Sequence, residues 1–375
     1  MKITGIRTHI FSSKHRNANR NWLILRLLTD EGLEGLGDAS MLEYDPLVAQ
    51  LLQEFTEHYL IGKDPMHHEL HWTRLHRDNS GRGGRMFTTA LSGIDIALWD
   101  LKGKILGRPV YELLGGPLRE RIRVYANGWY TNPGTPAQNA QEAREVVRMG
   151  YTAMKFDPFG QENFYTISPQ EAQLAEDRVA ALREAVGPNV EILVEVHAKF
   201  SVHTAIHLGK RLEKYRPFWF EEPVSQENGS EMAQVRRAVN IPIATGERLY
   251  LKFPFFELIK AEAVDILQPD ICNAGGITEL KKIAAIAEAQ HVLMPPTTPT
   301  ARWAPWPPST WTPRCPTSSS RSTTPSSTSQ SISRCSTGCR GRRAATWSYR
   351  RRLAWASRST RPWPPPTRTV RSGIE

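Results

Sequence analysis

Residues 191–247 read EILVEVHAKFSVHTAIHLGKRLEKYRPFWFEEPVSQENGSEMAQVRRAVNIPIATGE. Three glutamates in this stretch, Glu195, Glu221 and Glu247, stand 26 residues apart, and each closes a short apolar run of strand character, at 191–196, 217–220 and 241–244. An interval of that length holds one strand and one helix, so the stretch reads as successive units of a parallel β/α barrel. The carboxyl ends of all strands of such a barrel open on one face, and neighbouring strands would bring the three carboxylates to a common centre. Converging carboxylates repel unless a cation lies between them. An all-oxygen set suits Mg²⁺, a hard ion that keeps positions open for water and substrate oxygens. A solvated acid at a strand end explains any one of the three well, but not three in register.

Working outward, candidate strands at 122–126, 153–156, 191–196, 218–220, 241–244, 263–267 and 291–294 alternate with helical segments such as 136–149 and 170–186. That is seven strands, and an eighth would fall beyond residue 296. The region before the barrel has a different pattern. Residues 1–30 alternate like strands on either side of a polar segment, 12–21, and helical periodicity then runs over 46–60, 66–76 and 87–106, the last stopped by Gly107 and Pro109. The expected organisation is an α+β capping domain over 1–116 and a barrel over 117–296.

The chain has 375 residues, 40% of them hydrophobic, enough for a large core. No stretch suggests a signal peptide or a membrane span, and Cys272 is the only cysteine before residue 297, so a cytoplasmic enzyme without disulfides is expected. The net charge of +10 is unevenly placed. Residues 297–375 carry 14 Arg, no Lys and one acid, Glu375, which leaves 34 basic and 37 acidic residues, a net of −3, for the rest. This final stretch also holds six of the eleven Trp and is otherwise dominated by Ser, Thr, Pro and Arg. It reads either as a basic arm or as sequence translated out of frame. The genetic code favours the second reading. Joining the last base of each codon to the first two of the next turns Trp303–Ala304 into Gly, Trp306–Pro307 into Ala and Trp311–Thr312 into Asp. An allowed reading from the Pro296/Thr297 junction begins H-N-P and later supplies an F-L-I strand.

The segments ALSGIDIALWDLKGKILGRPVYELLGG (90–116), MKFD (154–157), EVHAKF (195–200), FEEP (220–223), TGE (245–247) and QPDICNAGG (268–276) together resemble the enolase superfamily, in its mandelate racemase-like branch. The resemblance covers residues 1 to about 296. It implies a modified (β/α)7β barrel, TIM-like, under an α+β cap, with Mg²⁺ on Glu195, Glu221 and Glu247. Aspartate is common at the first of these positions, so Glu195 is a departure, and Glu222 is expected to support the ligands without binding the ion. His197, two residues after Glu195, would point to the same side of a strand. This E-x-H arrangement is similar to the D-x-H of acid-sugar dehydratases, whose histidine is a general acid on the departing hydroxyl.

Lys155 and Asp157 occupy a K-x-K motif that racemases of the branch use as a base. With Asp157 at the second position that base is missing, and Lys155 would either touch the substrate carboxylate or pair with a neighbouring acid. Asp270 resembles the aspartate of a His–Asp dyad whose histidine belongs at position 297. The residue written there is Thr297, and the shifted codon at that junction admits histidine. The implied function is Mg²⁺-dependent dehydration of a galactonate- or gluconate-type sugar acid to a 2-keto-3-deoxy acid, by a homo-oligomer acting on a small molecule alone. An epimerase, racemase or cycloisomerase on the same scaffold is the nearest alternative. A further one is an inactive barrel remnant whose basic tail binds nucleic acid through Trp303, Trp306 and Trp311. Gly81, Gly83 and Gly84 read as a loop, not a phosphate cradle, and the Cys335/Cys339 pair lacks the partners of a zinc site.

Overall fold

The computed structural model describes residues 1–15, 18–41, 44–79, 83–132, 134–160, 164–296 and 346–348. Strands β1 (Ile3–His15), β2 (Ala18–Thr29) and β3 (Glu34–Asp38) form an antiparallel sheet in that order. Leu23, Leu25 and Leu27 alternate with half-buried residues and face the core, as a period of two requires. The polar segment 12–21 is not a loop, because pairing continues from Ser12↔Asn21 to His15↔Ala18. The ladder is made by backbone groups, so it runs on where the apolar alternation stops.

Helix α1 (Asp45–Phe55) gives way at Thr56 to a single π-type turn (Thr56–Leu60), where one 15-residue helical pattern was expected. The Thr56 hydroxyl donates to the Leu52 carbonyl, and the Ile61 N–H reaches back to Thr56 O at 3.1 Å. Helices α2 (His68–Arg77) and α3 (Gly84–Leu106) follow. Gly107, in the left-handed conformation at φ 62°, ends α3 where the sequence marks its stop.

Every residue of α3 from Phe87 to Leu101 is buried. One side packs Leu91, Ile94, Leu98 and Leu101 into the cap core with Leu23, Leu25 and Leu27. The other packs Ile96 and Trp99 against Cys272 and Ile277 of the barrel, and against Val110 of α4 (Val110–Leu113). β3 lies directly on α3, and a Cβ on Gly35 or Gly37 would come within 2.1 Å of the Ala97 or Gly93 carbonyl oxygen. Only glycine permits that approach.

Strand β4 (Arg121–Arg123) pairs antiparallel with a three-residue strand at Thr346–Ser348. The parallel sheet runs β5 (Ala153–Phe156), β6 (Glu191–Glu195), β7 (Trp219–Glu221), β8 (Ile243–Thr245) and β9 (Ile266–Leu267), in sequence order. Single parallel bridges extend it at both edges, Ala126 to Met154 and Leu293 to Ile266. All seven strand positions expected from the sequence are thus in the sheet, two of them as single bridges. Five helices separate the strands: α5 (Pro136–Arg148), α6 (Pro169–Val186), α7 (Val202–Leu212), α8 (Gly229–Ala238) and α9 (Lys252–Lys260). α10 (Gly276–Glu288) follows β9. Thr135 and Ser168 start α5 and α6 with reciprocal side-chain caps to Gln138 and Glu171. Among the described residues the last strand is β10 (Thr346–Ser348).

Alternation along β5–β9 sends Met154, Phe156, Ile192, Val194, Phe220, Ile243 and Leu267 outward to the helices. Ala153, Leu193, Trp219, Ala244 and Ile266 fill the inside with Tyr125. The next inward positions along the strands are Lys155, Glu195 and Glu221. The expected F-L-I strand, Thr297, Trp303, Trp306, Trp311, Cys335, Cys339, the out-of-frame reading and Gly81 lie outside the described residues. Among the described residues, no helix is long and apolar enough to cross a membrane.

Candidate active site

Each carboxylate is placed by the end of its strand. Glu195 ends β6, Glu221 ends β7, and the two are register partners. Glu247 comes two residues after β8, beyond Gly246, whose φ of 144° and contacts with Gln268 and Phe255 leave no room for a Cβ. One carboxylate oxygen from each of Glu195, Glu221 and Glu247 lies within 4.8 Å of the others. Lys155 of β5 projects into this group and donates to Glu195 at 2.8 Å and Glu221 at 2.6 Å. The remaining oxygens are also engaged: Glu195 Oε1 accepts the Val196 and His197 N–H groups, and Glu221 Oε2 accepts from Trp219 Nε1 at 2.9 Å.

The electrostatics follow from crowding in a buried place. Burial opposes the charge of Lys155, but Glu195 and Glu221 outweigh it and hold the ammonium's pKa well above its ordinary value. Burial also works against Glu195, where Lys155 and His197 win and keep the carboxyl well below the usual range. Glu221 goes the other way: burial and the neighbouring Glu195 charge push it well above that range. One ammonium therefore does not balance the three acids. A hard divalent cation would, and the all-carboxylate donor set fits one.

His197 lies beyond the end of β6. Its φ is 57° and that of Ala198 is 59°, so the ring is placed by a left-handed turn and not, as expected, by strand alternation. Main-chain bonds from Val196 N to Glu221 O and from Ala198 N to Glu222 O hold that turn against the end of β7. His197 Nδ1 lies 2.8 Å from Asp157 Oδ2, and Lys199 Nζ lies 2.6 Å from the same oxygen. Burial lowers the proton affinity of His197, but Glu195, Asp157 and Glu247 together raise its pKa above the ordinary imidazole value.

Glu222 is fully buried and bound by Arg248 Nε at 2.7 Å, and Arg248 also approaches Glu247 at 3.9 Å. Burial, with Glu247 and Glu195 adding to it, pushes the Glu222 carboxyl up to about 7. Asp270 follows β9 and is fully buried. It accepts from the Cys272 N–H at 2.8 Å and Asn273 Nδ2 at 2.6 Å, and Asn273 in turn accepts from Thr89 and Arg85 of the cap. Burial pushes Asp270 up to about 7, with Asp38 and Glu247 contributing.

The structure thus gathers Lys155, Glu195, Glu221, Glu247 and His197 in one place, with Lys155 in the acid-paired arrangement. Asp270 lies on the neighbouring loop that meets α3. Sequence reasoning missed Asp157 as the partner of His197, Lys199 as a second partner of Asp157, and Arg248 as the partner of Glu222. The alternation of acid and base in E-V-H-A-K was the available signal, but its partner is 40 residues away at the end of β5.

A capping sheet with its long helix, set on a parallel barrel whose strand ends converge in carboxylates, defines a cap-and-barrel protein with an acidic centre. Residues 6–115 match the mandelate racemase/muconate lactonizing enzyme N-terminal domain, and residues 138–305 match the enolase C-terminal domain-like family. The chain is 42% identical to a D-gluconate dehydratase of Thermoproteus tenax over 276 residues, 72% of this chain, but it spans only 54% of that relative's length. It is 40% identical to a D-galactonate dehydratase of Verminephrobacter eiseniae over 80% of this chain and 75% of the relative. A solved member of the enolase superfamily from Salmonella Typhimurium superposes with a TM-score of 0.74 at 35% identity, covering 79% of this chain and 80% of the other. The chain belongs to the enolase superfamily, in its mandelate racemase/muconate lactonizing enzyme group, and has that group's N-terminal cap and C-terminal barrel.

Proposed function

We propose that this chain dehydrates a sugar acid of the galactonate or gluconate class, taking the proton beside the carboxylate and expelling the adjacent hydroxyl. The enol so formed tautomerises to a 2-keto-3-deoxy acid. The observation that carries this reading is His197, placed beside the three-glutamate centre with Nδ1 tied to Asp157. The dehydratase names of the relatives support it.

Glu195, Glu221 and Glu247 would hold Mg²⁺, which when bound would supply positive charge to the substrate's carboxylate end as the neighbouring proton leaves. Lys155, protonated and paired with Glu195 and Glu221, orients those acids and is not a base. His197, as imidazolium, gives its Nε2 proton to the leaving hydroxyl, which then departs as water instead of hydroxide. The base that takes the α-proton would be the histidine that the shifted reading places at position 297, paired with Asp270; Thr297, as the sequence is written, cannot take that proton. Asp157, where a racemase of this group would carry its second lysine, accepts from two basic side chains and offers no base, which favours elimination over racemisation.

The test is incubation of the chain read in the shifted frame after Pro296, with histidine at position 297, with Mg²⁺ and, separately, galactonate and gluconate, followed by trapping of 2-keto acid. Keto-acid formation from either is the expected result. Isomerised sugar acid without loss of water, or no reaction with any sugar acid, would overturn the reading.

A further inference from the structure

The turn that carries His197 is held far more firmly than a surface histidine requires. His197 and Ala198 are both left-handed, and so is Tyr165 opposite them at φ 62°. Each such non-glycine residue is strained and persists only where its surroundings impose it. Here the loop after β5 imposes it. Tyr165 N–H donates to Lys199 O at 2.7 Å, and Ser201 N–H donates to Tyr165 O at 3.0 Å. Lys199 Nζ donates both to Asp157 Oδ2 and to the Gly160 carbonyl.

Asp157 is the centre of this clasp. Its Oδ1 accepts the Phe159 N–H at 2.9 Å, its own N–H donates to Tyr130 Oη at 3.0 Å, and its Oδ2 meets both Lys199 and His197. The carboxylate is wholly buried, whereas the ring it binds is 40% exposed. A fixed, solvent-excluded group thus grips one nitrogen of an accessible ring. Lys199 Nζ and the Phe159 N–H can only donate to this carboxylate, which leaves it the acceptor toward His197 as well.

We propose that Asp157 is a positioning residue that fixes His197 in the Nδ1–H tautomer, so that the proton exchanged with a substrate is always the one on Nε2. The inference rests on the dehydratase reading for the reaction it serves, but the tautomer can be read without turnover. A partner on one ring nitrogen sets the role of the other, and an ionised carboxylate can hold only a protonated nitrogen.

The experiment is two-bond ¹H–¹⁵N correlation on the full chain labelled with ¹⁵N-histidine, at a pH where the ring is neutral, with the His197 signals identified by their loss in His197→Asn. The expected result is the Nδ1–H form, the minor one in free histidine. In Asp157→Asn the amide can donate to Nδ1, so the signals should move to the Nε2–H form. The same variant should lower kcat by about 10²-fold with KM little changed, the usual scale for a misplaced catalytic group. An Nε2–H ring in the unsubstituted chain, or an unchanged tautomer in Asp157→Asn, would overturn the proposal. If that variant does not fold, the spectrum of the unsubstituted chain still decides. An Nδ1–H ring together with no dehydration even when histidine stands at position 297 in the shifted frame would sink the dehydratase reading and leave the assignment of Asp157 standing.

Discussion

The 26-residue spacing of Glu195, Glu221 and Glu247 could be read from the sequence because strand ends in a parallel barrel point one way, and their oxygens do lie within 4.8 Å of one another. The position of His197 was expected for a different reason from the one observed. A period of two would have placed its ring above Glu195, but a left-handed turn places it, and nothing local in E-V-H-A-K specifies that turn. Asp157, read as a lost lysine, is what holds the ring. Two outcomes belong at this scale. His197→Asn should slow dehydration by about 10²- to 10⁴-fold while exchange of the substrate's α-proton with solvent continues, because only departure of the hydroxyl needs the ring. Full dehydratase activity in that variant would remove His197 from the mechanism. Mg²⁺ at a hundred times its Kd should raise the unfolding free energy by about 2.7 kcal/mol. Glu221→Gln should lose most of that gain in a denaturant titration, and an equal gain would place the ion elsewhere.

Strands and helices were more legible than their ends. Sequence alternation located seven strand positions of the barrel, but five form strands of two to five residues and two are single bridges, because only a few residues per strand face their neighbours. The hairpin of β1 and β2 outruns its apolar pattern, and α1 stops early, since a threonine hydroxyl and a π-type turn leave little trace in hydrophobic periodicity. The clearest element-scale contact is β3 on α3. A methyl at Gly37 would lie 2.1 Å from the backbone oxygen of Gly93, and no side-chain rotation can relieve that. Gly37→Ala should therefore destabilise the chain by about 1–3 kcal/mol, the usual range for overpacking, visible as a lower urea midpoint. An unchanged midpoint would mean that β3 can lift off the helix without cost.

At the scale of the whole molecule, the seam between cap and barrel is polar as well as apolar. Trp72 donates to Gly275 O, Ser92 accepts the Gly275 N–H, Trp99 donates to Thr278, and Asp95 accepts from Thr278 through both its N–H and its hydroxyl. Asp95 is fully buried, and burial pushes its carboxyl up to about 7 against the pull of the Thr278 bonds. The folded chain thus keeps a proton that the unfolded chain releases near its ordinary value of 3.8. Its contribution is greatest below that value and is lost as pH rises toward 7. Urea midpoints should fall over this window, and Asp95→Asn should flatten the fall. An identical slope in the variant would assign the pH dependence to other groups.

Helix α3 is a wall common to two rooms. Its buried length from Phe87 to Leu101 closes the cap core on one side and meets Cys272 and Ile277 on the other. Parting cap from barrel would strip apolar surface from both and break the seam's hydrogen bonds together, so the two should melt as one cooperative unit, with amide exchange in α3 and α10 slowing or quickening in step. A hinge has no place in such a joint. Movement of cap against barrel is therefore not expected to gate the acidic centre.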